Sequence, residues 1–210
     1  MVASTFETAA DAIVAVGRAF DARGWAPATS GNYSVRLDDG SFAVTVSGWH
    51  KGRLTLDGVM RVDAGGASLD GKRPSAETAL HLSLYRRFPD AGAVLHSHSP
   101  QAVGLSRVFP AASGWTLAQH EMLKVYPGIA THDLSRILPI VDNSQDMAVI
   151  DAAIAPRLLD ADALPAYLIR GHGLYGWGAD MAEAERVIEA TEWLIAAELA
   201  EIGFRNGSKA

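Results

Sequence analysis

An α/β fold around a mixed, largely antiparallel sheet is what the sequence predicts, on three observations. Helix-spaced and strand-like segments interleave along the chain. The strand-like segments are short and closely spaced, which leaves too little chain between them for the helical crossovers of a purely parallel sheet. The 210 residues are 49% hydrophobic, enough to bury one substantial core but short for two domains and a linker, so residues 1–210 are read as a single domain.

In chain order, Phe6, Ala10, Ile13, Val16 and Phe20 recur at helical spacing, with Ser4 and Glu7 placed as a capping box and Gly24 as a stop. Residues 41–47 and 59–63 are β-branched, bounded by Gly or Asp, and read as strands. Ser75 is expected to cap a helix running to about Phe88, where Pro89 stops it. Ala93 to His98 then reads as a buried strand, and Pro100 opens another helix at its first position. Residues 137–141 and 166–170 are further strands, separated by a helical pattern from about Ser144 to Leu159. Asp180 and Glu183 cap a long last helix whose Ile188, Trp193, Ile195, Leu199 and Ile202 are numerous enough to pack on the sheet or on another subunit. No repeat and no low-complexity tract interrupts the pattern.

Composition narrows the function classes. A formal net charge of -6 and a pI near 5.6 argue against a phosphate-backbone binder, so nucleic acid is not expected as a partner. With no cysteine, disulfides and thiolate metal sites are excluded, and a tightly held transition metal must use His and carboxylates. Residues 1–20 mix apolar positions with Glu7, Asp11 and Arg18, unlike a signal peptide, and no apolar run reaches the roughly 18 residues of a membrane span. A soluble, cytoplasmic protein without membrane contact is the expectation.

The sharpest chemical feature is His96-Ser97-His98 at the end of an apolar strand. Period-two alternation sends His96 and His98 to one face and Ser97 to the other, so two imidazoles can converge on one ion. Taken alone, such a pair is as readily two ordinary strand-end histidines. His172, in Gly171-His172-Gly173, offers a third ligand on a turn that can approach another strand closely, and three His with an open position describe a catalytic zinc site. His50, His81, His120 and His132 are each read as solvated or hydrogen-bonded side chains.

Two apparent motifs fail on context. Residues 171–176 match GxGxxG after a strand but leave no room for a dinucleotide-binding unit, and Lys124 stands where the second ligand of a His-Glu-x-x-His motif would have to be. Ser30-Gly31-Asn32, Ser47-Gly48 through Lys51-Gly52, and Pro74-Ser75 are loops rich in hydroxyl, amide and backbone donors, with Lys51, Arg53, Lys72 and Arg73 nearby. Each alone reads as a turn; together they suit a phosphate.

Through Ser30-Gly31-Asn32, Ser47-Gly48, Pro74-Ser75-Ala76-Glu77, His96-Ser97-His98 and Gly171-His172-Gly173, nearly the whole chain resembles the class II aldolase and adducin head family. The resemblance implies a three-layer α/β/α sandwich around a mostly antiparallel sheet. It implies one Zn2+ per subunit on His96, His98 and His172, phosphate held by Ser30, Gly31, Asn32, Ser47, Gly48, Lys51 and Ser75, and a homotetramer with active sites at subunit interfaces. Within the family, Trp25 to Asn32, Ser47 to Gly52 and Gln119-His120-Glu121-Met122 resemble a branch that removes water from a methylthio-substituted ketose 1-phosphate, a step of methionine salvage. Glu121 matches that branch's catalytic acid/base. The role of Glu77 is left open between a second acid/base, a metal ligand and a helix-start carboxylate. A sugar-phosphate aldolase or 4-epimerase of the same family is the nearest rival, but those relatives lean on a tyrosine near the C-terminus and here none follows Tyr175. A non-catalytic adducin-like interaction domain is the remote alternative, disfavoured by the persistence of the histidines and the loops.

Overall fold

The computed structural model describes residues 4–207, and its frame is one eight-stranded sheet with helices on both faces. The strands are β1 (Asn32–Arg36), β2 (Phe42–Thr45), β3 (Val59–Val62), β4 (Ala93–Ser97), β5 (Gly114–Ala118), β6 (Ser135–Val141), β7 (Ala166–Ile169) and β8 (Gly173–Gly178). Their spatial order is β3-β2-β1-β4-β8-β7-β6-β5. Every pairing is antiparallel except β6 with β7, so the sheet is mixed and mostly antiparallel, as expected.

The helices are α1 (Phe6–Ala22), α2 (Thr78–Arg87), α3 (Pro100–Val108), α4 (Met147–Ile154) and α5 (Met181–Gly207). Alternation along the strands sorts the core into two apolar layers. Tyr33, Leu95, Leu168 and Leu174 pack with Ile13 and Phe20 of α1, Leu105 of α3 and Ile188 and Leu194 of α5. Val94, Tyr167, Ile169, Tyr175 and Trp177 face the other way, toward Leu80 and Tyr85 of α2 and Ile150 and Ile154 of α4. The three-layer α/β/α sandwich follows directly from this two-sided burial.

Local signals were read correctly at several ends. Gly24 follows α1 with φ +73°, Ser99 caps α3 through the Ala102 N–H with Pro100 at its first position, and at the start of α5 Asp180 accepts from the Glu183 N–H while the Glu183 carboxylate accepts from the Ala179 N–H. Two expectations are corrected. The cap of α1 is Thr5, whose Oγ1 accepts from the Thr8 N–H at 3.3 Å, in place of Ser4. Ser75 does not cap α2, which begins at Thr78; its hydroxyl accepts from the Glu77 N–H at 3.3 Å and its carbonyl from the Thr78 N–H at 3.1 Å, so it opens the turn that leads into the helix. Among the described residues, no helix is long and apolar enough to cross a membrane.

Candidate active site

The strand alternation that builds the core also builds the site. His96 lies on the α2/α4 face with Val94, fully buried and stacked on Tyr175 at 4.0 Å between ring centroids, and His98 follows the end of the strand two residues on. His172 sits in the tight turn between β7 and β8, where Gly171 takes φ +67°. Close approach there depends on Gly173, because a Cβ at that position would stand 2.1 Å from the Ser97 carbonyl oxygen and 3.0 Å from Cε1 of His96. The two strands thereby bring the three imidazoles together, with ring centroids 4.5 to 5.0 Å apart.

A fourth group joins them. Glu77, at the start of α2, places Oε1 2.9 Å from Nε2 of His172 and Oε2 3.6 Å from Nε2 of His96. One ligand atom from each of Glu77, His96, His98 and His172 lies within 4.8 Å of the others. Nε2 of His96 and Nε2 of His172 are 3.3 Å apart, close to the ~3.4 Å between ligand atoms on a tetrahedral ion with bonds of about 2.05 Å. The Nδ1–H of His96 donates to the Leu174 carbonyl at 3.0 Å, which leaves Nε2 as the bare ligand atom. Burial holds His96 well below its ordinary pKa and brings His98 down to about 4, with neighbouring histidines adding to the effect and Glu77 opposing it, so both are neutral and able to donate a lone pair. Burial works to raise the Glu77 pKa, but the His172 hydrogen bond, the fields of His96 and His172 and the Asn32 hydrogen bond outweigh it and hold the carboxyl well below the usual range.

Behind Glu77 runs a buried chain of hydrogen bonds with a fixed direction. Nδ2 of Asn32 donates to Oε2 of Glu77, so its Oδ1 faces His81 and must accept from the Nε2–H at 2.5 Å. The bare Nδ1 of His81 then accepts from the Ser34 hydroxyl at 2.7 Å, whose oxygen accepts from the Tyr85 hydroxyl at 2.9 Å. Burial lowers the His81 pKa to about 4, in keeping with a neutral ring.

The ligand cluster opens on a cavity of about 530 Å³. Ser30, Gly31, Asn32, Ser47, Gly48, Lys51 and Ser75, the residues expected to hold phosphate, all line it together with His98 and His172. Gly31 has φ +78° and a Cβ there would be 2.8 Å from the His96 carbonyl oxygen, so the Ser30-Gly31-Asn32 loop and β4 are packed backbone to backbone. Lys51 is 2% exposed and its ammonium donates to the Thr29 and Trp49 carbonyls at 3.1 and 2.6 Å. Desolvation lowers its pKa to about 8 against the field of Glu77. Of the other basic residues gathered near these loops in sequence, Arg73 also lines the cavity, whereas Lys72 donates to the Asp57 and Val59 carbonyls. Asn32 has its side-chain amide engaged by His81 and Glu77, which leaves one amide hydrogen for an anion.

Sequence reasoning left Glu77 out of the site and missed Asn143, Ser144 and Gln145 of the loop after β6 and Met147 at the start of α4, which close the cavity. In sequence that stretch was readable only as the start of a helix. Glu121 is not among the residues lining the cavity. It begins a 3-10 turn (Glu121–Val125) with its side chain 69% exposed, bonded to Lys124, and 3.3 Å from Nδ1 of His132. Gln119, just before it, has φ +61°, an uncommon conformation for a residue with a side chain. The histidines read as ordinary side chains stay outside the ligand cluster; His120, for example, pairs with Glu198 at 2.8 Å. The 171–176 glycines lead into β8 and not into a helix, which excludes a dinucleotide loop.

Residues 11–199 match the family described as the class II aldolase and adducin N-terminal domain. The chain is 50% identical to a methylthioribulose-1-phosphate dehydratase of Methylococcus capsulatus, covering 90% of this chain and 92% of that one. It is 48% identical to a methylthioribulose-1-phosphate dehydratase of Pseudomonas paraeruginosa, over 89% and 91% of the two chains. Among solved structures, an L-fuculose-1-phosphate aldolase of Thermus thermophilus superposes with a TM-score of 0.73 at 28% identity, covering 93% of this chain and 95% of that one.

Proposed function

Because the chain belongs to the class II aldolase and adducin N-terminal domain family and brings three histidines and a glutamate to one point, we propose that it is a zinc-dependent methylthioribulose-1-phosphate dehydratase with one ion per subunit. The reaction removes water from 5-methylthioribulose 1-phosphate to give 2,3-diketo-5-methylthiopentyl 1-phosphate, a carbon-oxygen lyase step of methionine salvage. The observation that carries the reading is the joining of two sites in one cavity, a His/His/His/Glu cluster and a donor-rich anion cradle. A ketose 1-phosphate has its carbonyl next to its phosphate-bearing carbon and needs both at once.

His96, His98 and His172 would hold the ion, and Glu77 fits as a fourth ligand that substrate can displace. When bound, the ion supplies a Lewis acid that polarises the C2 carbonyl and acidifies the C3 hydrogen. The Ser30, Ser47 and Ser75 hydroxyls, the Asn32 side-chain amide, the backbone of Gly31 and Gly48, and the Lys51 ammonium receive the phosphate and fix the chain of the sugar along the cavity. Glu121 takes the C3 proton and returns it to the departing C4 hydroxyl. On a single chain Glu121 is a surface carboxylate, held below its ordinary pKa chiefly by Lys124, which makes it a weak base. Burial against a second copy would raise that pKa and bring the carboxylate to a neighbour's cavity, which supports a homo-oligomer, with the tetramer favoured, and active sites between subunits. The single sheet and its two continuous apolar layers support reading residues 1–210 as one domain. As its place we propose the cytoplasm.

The experiment is to incubate the zinc-loaded protein with 5-methylthioribulose 1-phosphate, beside a chelator-treated sample, and to follow product mass. Loss of one water in the loaded sample alone is expected. Cleavage or C4 inversion of other ketose phosphates, with this substrate unchanged, would move the chain to the aldolase or epimerase branch; full activity without metal would overturn the metal reading.

A further inference from the structure

The stretch His96-Ser97-His98-Ser99 has two faces, and only one of them belongs to the cavity. The imidazoles turn toward Glu77 and His172; the hydroxyls of Ser97 and Ser99, both fully buried, turn the other way, toward α5. There they converge on one side chain. Glu192, 3% exposed, accepts from the Ser97 hydroxyl through Oε1 at 2.9 Å and from the Ser99 hydroxyl through Oε2 at 2.5 Å. Ser99 is fixed in turn as the cap of α3, accepting from the Ala102 N–H at 2.9 Å. No acid is expected at a position buried between a helix and a sheet unless its bonds repay the lost hydration.

We infer that Glu192 is a positioning residue for the metal centre, holding the ligand strand from behind so that His96 and His98 keep the spacing an ion requires. The two bonds span the residues on either side of His98 and the one after His96, so they fix the backbone torsions that aim both rings. His98 has no sheet partner in β4 to aim it, since the strand ends at Ser97, and the backbone bond from its N–H to the Trp25 carbonyl at 2.7 Å orients the peptide from one side only. Glu192 supplies the opposing side. Its role is one of shape: a carboxamide, accepting from Ser99 and donating to Ser97, can reproduce both contacts. The inference rests on the metal reading above.

The test is zinc affinity, measured on metal-free protein by competition with a chelating dye, alongside thermal unfolding of the same metal-free samples. Glu192→Leu is expected to fold with reduced stability, because the buried Ser97 and Ser99 hydroxyls lose their acceptor, and to bind zinc about 10- to 100-fold more weakly, a loss that Glu192→Gln must not share. Glu192→Gln is expected to keep parental affinity. Parental affinity in Glu192→Leu would overturn the inference and leave the metal reading intact, whereas a parent protein that binds no zinc would overturn both. Should Glu192→Leu fail to fold, Ser97→Ala decides: weakened zinc binding in a folded protein supports the clamp, and unchanged binding refutes it.

Discussion

At the scale of single residues, the chemistry was legible where local pattern and geometry coincide. His96 and His98 could be placed on one face from alternation alone, and the glycines beside His172 foretold the close approach that Gly173 makes possible. Glu77 was not legible, because an acid at a helix start is ordinary and nothing local says that a sheet partner will aim it at three imidazoles. His81 and Glu192 were hidden for the same reason, since their partners lie 47 to 49 and 93 to 95 positions away. Lys51 was legible as a residue of the cavity, and for its proposed phosphate role its burial implies a pH dependence. Its pKa is lowered to about 8, so the free enzyme carries the charge below that pH and loses it above. Phosphate affinity is therefore full near pH 7 and falls as pH rises through 8, by up to about tenfold per unit if the charge is essential. Calorimetric titration with inorganic phosphate between pH 7 and 9.5 reads this directly. Lys51→Met should bind weakly with a flat profile, and a flat profile in the parent would remove Lys51 from the anion site.

At the scale of elements, the helices and apolar strands were read from their spacing, while strands whose inner face is polar or glycine-rich were not. In β1, residues 32–36 do alternate, Tyr33 and Val35 entering one apolar layer while Asn32 and Ser34 turn toward Glu77 and His81, but two apolar residues directly after a Ser-Gly-Asn turn are too few to mark a strand. In β8, three glycines in six residues conceal a strand at the centre of the sheet. They are there because α5 lies directly on it: a Cβ at Gly176 would stand 2.8 Å from Ile188 Cδ1, and one at Gly178 2.6 Å from the Ala184 nitrogen. The same closeness ties the metal centre to the pairing of β4 with β8. Gly173→Ala must push β8 away from the Ser97 carbonyl, and is expected to cost about 1–3 kcal/mol of stability and to weaken metal binding in step. Urea unfolding with and without zinc measures both. An unchanged midpoint would mean that the turn relaxes freely, and that the ligand spacing is set elsewhere.

At the scale of the whole molecule, the described chain brings a His/His/His/Glu cluster and the proposed anion-binding loops to one cavity, but the proposed acid/base stands outside it. Glu121 shares its surface with apolar groups that a lone chain leaves in water, Val125 at 39% and Trp193 at 51% exposure, the latter beside the His120 ring. Sequence spacing could not reveal this division, because a residue's distance from a site on another copy is not written in one chain's periodicity. If the acid of one subunit serves the metal of the next, two differently damaged chains can repair one another. His98→Ala lacks a ligand and Glu121→Gln lacks the base, so each alone should turn over negligibly. Refolded together, a mixed oligomer contains sites in which an intact His98 meets an intact Glu121, and dehydration should return. If Glu121 instead served its own cavity, every site in the mixture would retain one defect and no activity would be recovered. Recovery in the mixture, with zinc retained by Glu121→Gln, would assign the base to the neighbouring subunit and make assembly a condition of catalysis.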